Sequence, residues 1–151
     1  MSDDVLARSF ESLRIDRADG VTYVAGRYLS GGVFAAYWVD NAAGLVTLDG
    51  TPGSARGIVR LATGTAVAGD YLNADTVRQA AVWESTSPTD LSRTVSGAST
   101  YAYGVAAYDG VVYATGSQAS GSDRAVYWRG TELVALSPSV ESRANALVVR
   151  P

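Results

Sequence analysis

From Ser12 to the C terminus, short runs of alternating apolar and polar residues follow one another, broken by Gly, Asp, Ser and Thr. Alternation with period two marks strands with one face more buried than the other, so the pattern predicts an all-β chain. No segment beyond a few residues carries the apolar stripe of an amphipathic helix, although Asp3 to Leu13 is compatible with a short helical turn ahead of the first strand.

The runs repeat. Trp38, Trp83 and Trp128 stand in Ala36-Tyr37-Trp38, Ala81-Val82-Trp83 and Val126-Tyr127-Trp128, 45 residues apart in each case. A fixed period of this length is the signature of stacked supersecondary units. Each Trp run is preceded by an apolar run ending in glycine: Thr22 to Gly26, Thr65 to Gly69 and Val112 to Gly116. Before that run comes a further alternating segment, Ser12 to Arg17, Ala55 to Leu61 or Ala102 to Tyr108, joined to it through Asp19-Gly20, Thr63-Gly64 or Asp109-Gly110. Asp-Gly between two such runs signals a tight hairpin, because a primed turn needs positive φ at its centre. A fourth strand follows each Trp, at Leu45 to Leu48, Leu91 to Val95 and Leu133 to Leu136. The expectation is therefore a single repeat domain over 1–151. It holds three four-stranded units, called A to D by strand, at about 9–49, 54–96 and 100–137, plus a terminal strand at 143–149. That terminal strand, Ala144 to Val149, matches strand A of the second and third units. The first strand A is the outlier, with Arg14 and Asp16 where the others carry Gly57, Gly104 and Ala146, and Val59, Ala106 and Val148.

A lone four-stranded unit cannot bury its faces, so the units must pack on one another. A β-trefoil completes itself with three units in one chain. A β-propeller ring typically needs four to eight blades, so three would be half of a six-bladed ring closed by a second copy. The sequence Asp109-Gly110, Val112-Tyr113-Ala114-Thr115-Gly116, Val126-Tyr127-Trp128 and Leu133-Val134-Ala135-Leu136 resembles kelch-like blades and, more closely, the HAF-type repeats of bacterial extracellular proteins. It differs from kelch in having Ala-Gly or Thr-Gly in place of a glycine pair, and in carrying Trp on the third strand. The resemblance implies a propeller and a secreted or surface location. It makes the trefoil the alternative fold. The extra strand A favours the propeller independently, because rings commonly close when a strand from one end of the chain completes the blade at the other: Ala144 to Val149 is expected to join strands B to D of the first unit of a partner, displacing or supplementing Ser9 to Arg17.

Composition narrows the chemistry. The chain carries a net charge of −3, contains neither His nor Cys, and draws all twelve of its basic residues from Arg. The charge argues against a nucleic-acid partner, and the missing residue types remove Ser-His and Cys-His nucleophiles, disulfides and the usual zinc ligands. No apolar run is long enough to insert in a membrane, and the acidic start Met1-Ser2-Asp3-Asp4 predicts no signal peptide. No glycine-rich phosphate loop precedes a helix, and no cofactor is expected.

The remaining candidates lie at repeat-equivalent positions. Trp38, Trp83 and Trp128 are either platforms for sugar rings or fillers between units, and packing is the stronger reading for a repeated aromatic. On strand A, Leu13, Arg56, Tyr103 and Asn145 vary while their neighbours stay small. At a channel mouth Arg56 would clamp an anion, and Tyr103 or Asn145 would hydrogen-bond hydroxyls. Asp70, Asn73 and Asp75 offer hard oxygen ligands, but their spacing is not that of a calcium loop and fits turn capping better. The four Glu residues, Glu11, Glu84, Glu132 and Glu141, do not recur at equivalent positions as an acid-base pair. These observations favour a non-catalytic, self-assembling module that binds a glycan or other small polar ligand. The alternatives are a structural or protein-binding propeller fragment and a carboxylate-based glycan-cleaving enzyme.

Overall fold

The computed structural model describes residues 10–18, 20–40, 44–49, 52–136 and 139–150. The twelve strands are β1 (Phe10–Ala18), β2 (Val21–Leu29), β3 (Val33–Val39), β4 (Gly44–Thr47), β5 (Gly53–Leu61), β6 (Gly64–Leu72), β7 (Arg78–Trp83), β8 (Thr89–Asp90), β9 (Ser99–Tyr108), β10 (Val111–Ala119), β11 (Asp123–Arg129) and β12 (Glu132–Ala135). They form three antiparallel four-stranded sheets, β1–β4, β5–β8 and β9–β12, each pairing its strands in sequence order. A trefoil needs strands of different units in one common barrel, whereas every ladder between these strands stays within one unit.

The sheets stack as three layers, with the second in the middle. Alternation along β6 and β7 serves both of its faces. Val67, Ala81 and Trp83 pack with Ala25, Ala35 and Leu48 of the first sheet, while Ala66, Ala68, Ala80 and Val82 pack with Ala102, Val126 and Trp128 of the third. Small residues on one side of each layer leave room for the indole that enters from the next.

Two hinges repeat between layers. Asp49, after β4, donates its N–H to Thr86 O and accepts from Trp83 Nε1 at 3.0 Å. Ser92, after β8, donates to Thr131 O and accepts from Trp128 Nε1 at 2.8 Å. Each buried indole thus satisfies its N–H on the chain that leaves the preceding unit, which ties sheet to sheet as well as filling the gap.

Several sequence expectations change in detail. The fourth strand of the second unit is Thr89–Asp90, not Leu91 to Val95. Leu91 buries its side chain, and Ser92 is drawn to the third sheet, where its hydroxyl accepts the Leu133 N–H. Leu91 N still bonds Ala80 O, and from Ser92 the segment leaves the second sheet to bridge layers. The second A–B turn is Ala62-Thr63 instead of Thr63-Gly64, since Leu61 pairs with Gly64. Asp109 and Gly110 have φ of 50° and 73°, the primed turn that Asp-Gly predicts. Of the helical turn expected at Asp3 to Leu13, residues 10–13 belong to β1 and the rest lies outside the described residues.

The terminal strand expected at 143–149 is present as a chain segment without a ladder. It lies on the outer face of the third sheet, with Ser142 N bonded to Asp123 O and Ala144 N to Gly116 O. Strands β1, β5 and β9, by contrast, each form a ladder with the strand that follows. Among the described residues no helix is long and apolar enough to cross a membrane.

Candidate functional site

The first strand of every sheet carries a β-bulge at the same repeat position. Pairing skips Leu13 between Ser12 and Arg14, Arg56 between Ala55 and Gly57, and Tyr103 between Ala102 and Gly104. These are the strand-A positions that vary in sequence. A bulged residue leaves the ladder and its side chain is re-aimed, which frees the position from the packing that keeps its neighbours small.

The glycines that end the Val/Ala run on β6 and β10 have a physical cause. A Cβ on Gly69 would fall 2.0 Å from Ser54 O, and one on Gly116 would fall 1.8 Å from Tyr101 O. The bulge drives a backbone carbonyl across the ladder, and only glycine leaves space for it.

At the second bulge, Arg56 turns onto Asp70. Asp70 is 1% exposed, and its two oxygens accept from Arg56 Nε at 2.7 Å and Arg78 Nη1 at 3.1 Å. Arg78 also donates to Pro52 O at 3.2 Å. Both guanidiniums remain about a third exposed, so one buried carboxylate fixes two cations at the surface. The third sheet supplies the other wall: the Arg56 guanidinium sits 5.6 Å from the centre of the Tyr103 ring. Tyr103 stacks parallel to Tyr101, with an interplanar angle of 2°, and its hydroxyl lies 3.3 Å from Ser117 Oγ. Arg143 pairs with Asp123 on the same side, and that carboxylate holds the guanidinium pKa further above its ordinary value.

Of the sequence candidates, the fold brings Arg56 and Tyr103 into contact. Asn145 continues the row, exposed beside Gly104, while the side chain of Leu13 is outside the described residues. The three Trp residues lie elsewhere, on third strands. Trp83 and Trp128 are 1% and 0% exposed, and their faces are covered by neighbouring sheets. Trp38 is half-buried on the face of the first sheet turned away from the second.

Asp70, Arg78, Tyr101 and Ser117 join this cluster without a motif that marks them in the sequence. A signal for two of them was present: Arg27, Asp70 and Ser117 each follow the repeated glycine and differ in chemistry. Asn73 Oδ1 accepts from Asp75 N and Val77 N, the turn-capping role expected of it. Asp70 belongs to the arginines instead. The described residues hold no group of three or more acidic side chains placed to bind a metal ion.

The chain matches no protein-family model, and no curated protein is significantly similar to it.

Proposed function

We propose that this chain is a non-catalytic, ring-forming module: three propeller blades that close with a second copy into a ring of six and hold a small polar ligand, such as a glycan, at the bulged rim. The observation that carries the reading is a repeated stacking step. A Cβ on Gly57 would meet Gly104 Cα at 3.2 Å, and one on Gly104 would meet Ala146 Cα at 3.1 Å. On this reading residues 144–149 stack on the third sheet as β9 stacks on the second, in the place of a further strand A.

The two ends of the stack are complementary on this reading. One end carries Trp38 on the outer face of the first sheet, at the position where Trp83 and Trp128 each face a preceding unit. The other presents Val134, Leu136 and Val148, the last 77% exposed. A head-to-tail contact between copies covers both, and it closes when the rotation completes a circle. Because β1 already pairs with β2 from Phe10 to Ala18, the incoming terminal segment displaces β1 instead of adding to it. The exchange replaces Arg14 and Asp16 by Ala146 and Val148 at the innermost strand.

Size-exclusion chromatography with light scattering tests the assembly. A species of twice 15.7 kDa is expected, and it should revert to single chains when residues 140–151 are removed. A homogeneous 15.7 kDa species of the full chain rejects closure. A ladder of larger, concentration-dependent oligomers would instead favour the second reading, a protein-binding fragment whose open edges pair without closing.

A further inference from the structure

We infer that the ligand of the bulged rim carries a carboxylate, and that Arg56 and Arg78 receive it; this rests on the reading of the rim as a ligand site. The inference comes from how the donors are used. Arg56 commits Nε to Asp70, and among the described residues no acceptor meets its two terminal nitrogens. Arg78 commits Nη1 to Asp70 and Pro52, leaving Nη2 and Nε without a protein acceptor among those residues.

Asp70 balances one of the two cations, so the cluster of Arg56, Arg78 and Asp70 has a formal charge of +1 in a chain whose net charge is −3. A fully buried carboxylate held only to neutralise one arginine would need no second. The planar fork of a guanidinium matches a carboxylate in two parallel hydrogen bonds. Here the fork is also held in place. Asp70 grips Arg56 at Nε, and the face of Tyr103 lies against its Cζ, so little side-chain freedom is left to lose on binding. Tyr103 and Tyr101, both partly exposed, add hydroxyls on the third-sheet side, where a saccharide bearing the carboxylate would find hydrogen-bond partners, and the fully buried Ser117 Oγ lies 3.3 Å behind the Tyr103 hydroxyl. The chemical class is thus an acidic sugar of the uronate type, not a neutral one.

Calorimetric titration with trigalacturonate, its methyl ester and neutral galactotriose separates the possibilities. The acid should bind about 10-fold or more tighter than the ester, from the charge-assisted hydrogen bonds alone. That advantage should shrink as salt rises. Arg56→Gln and Arg78→Gln should each remove most of it, while Arg129→Gln, an exposed arginine on β11, should leave it intact. Circular dichroism confirms that each variant is folded, and the acid-ester comparison on the unaltered protein stands even if one is not.

Equal affinity for acid and ester overturns the carboxylate while leaving a saccharide-binding rim. A preference for the acid that survives both arginine substitutions overturns the assignment to Arg56 and Arg78. Binding of none of the three rejects the inference together with the ligand reading beneath it.

Discussion

The carbonyl oxygen of Ser54 lies 2.0 Å from the position that a Cβ on Gly69 would occupy. Both partners are backbone-fixed within the β5–β6 ladder, so neither yields by turning a side chain. Gly69→Ala is expected to destabilise the protein by about 3 kcal/mol or more, the upper end of overpacking costs, and Gly116→Ala to do the same. Gly44 has open space around its Cα and no positive φ, so Gly44→Ala should be neutral or stabilising by about 0.5 kcal/mol. Urea denaturation of the three variants checks the contrast.

The tryptophans should divide in the same way. Trp128 is fully buried and donates to Ser92 O, so Trp128→Ala should cost about 3 to 5 kcal/mol. Trp38 is only half-buried, and Trp38→Ala should cost the single chain less than half as much while weakening the association of copies. Melting temperature reads the first effect and solution mass the second. Equal losses of stability for both would contradict the position of Trp38 at the end of the stack.

Asp70→Asn removes the charge that holds two guanidiniums at the rim. Breaking a fully buried pair costs about 3–5 kcal/mol, but both arginines are a third exposed and partly hydrated, so a loss of about 2 kcal/mol is expected. The loss should shrink as salt rises, because the remaining like charges are then screened. Denaturation at low and high ionic strength tests both parts.

Tyr71 gives the protein an alkaline limit. Burial, then the hydrogen bond to Asp90 Oδ1 at 2.7 Å and the nearby negative charge, push its pKa up from 10.0 to about 12. A phenol whose folded pKa is raised favours folding fully below the unfolded value, and that contribution disappears as pH climbs through the folded one. Stability should therefore fall between pH 10 and about 12. Tyr71→Phe should be less stable by about 1 kcal/mol at neutral pH, and the gap should close across that window. Thermal melts of both proteins over this range decide it, and a constant gap would exclude the mechanism.

Much of the fold was legible in the chain because its signals are local. Alternation placed the strands of β1 to β3, β5 to β7 and β9 to β12 within a few residues, and the recurrence of Trp38, Trp83 and Trp128 divided them into units. Asp109-Gly110 marked its own turn. The strand-A positions of Arg56 and Tyr103 stood out by varying among small neighbours. The fourth strand of the second unit is shorter than the alternation implies, because Leu91 buries its side chain while its N–H still bonds Ala80 O, and Ser92 then turns to Thr131 of the third sheet.

Sequence alone determined the strand content, the period and the matching of residues 144–149 to strand A, since each depends on residues close together in the chain or on direct comparison of repeats. Only the tertiary structure decided that Leu13, Arg56 and Tyr103 are bulges, that the repeated glycines make way for a carbonyl, and that Asp70 serves two arginines instead of a turn. A bulge is a mismatch between the lengths of two paired strands, and an ion pair is a meeting of side chains from different strands. Neither property belongs to any single segment, so each exists only once the ladders have closed.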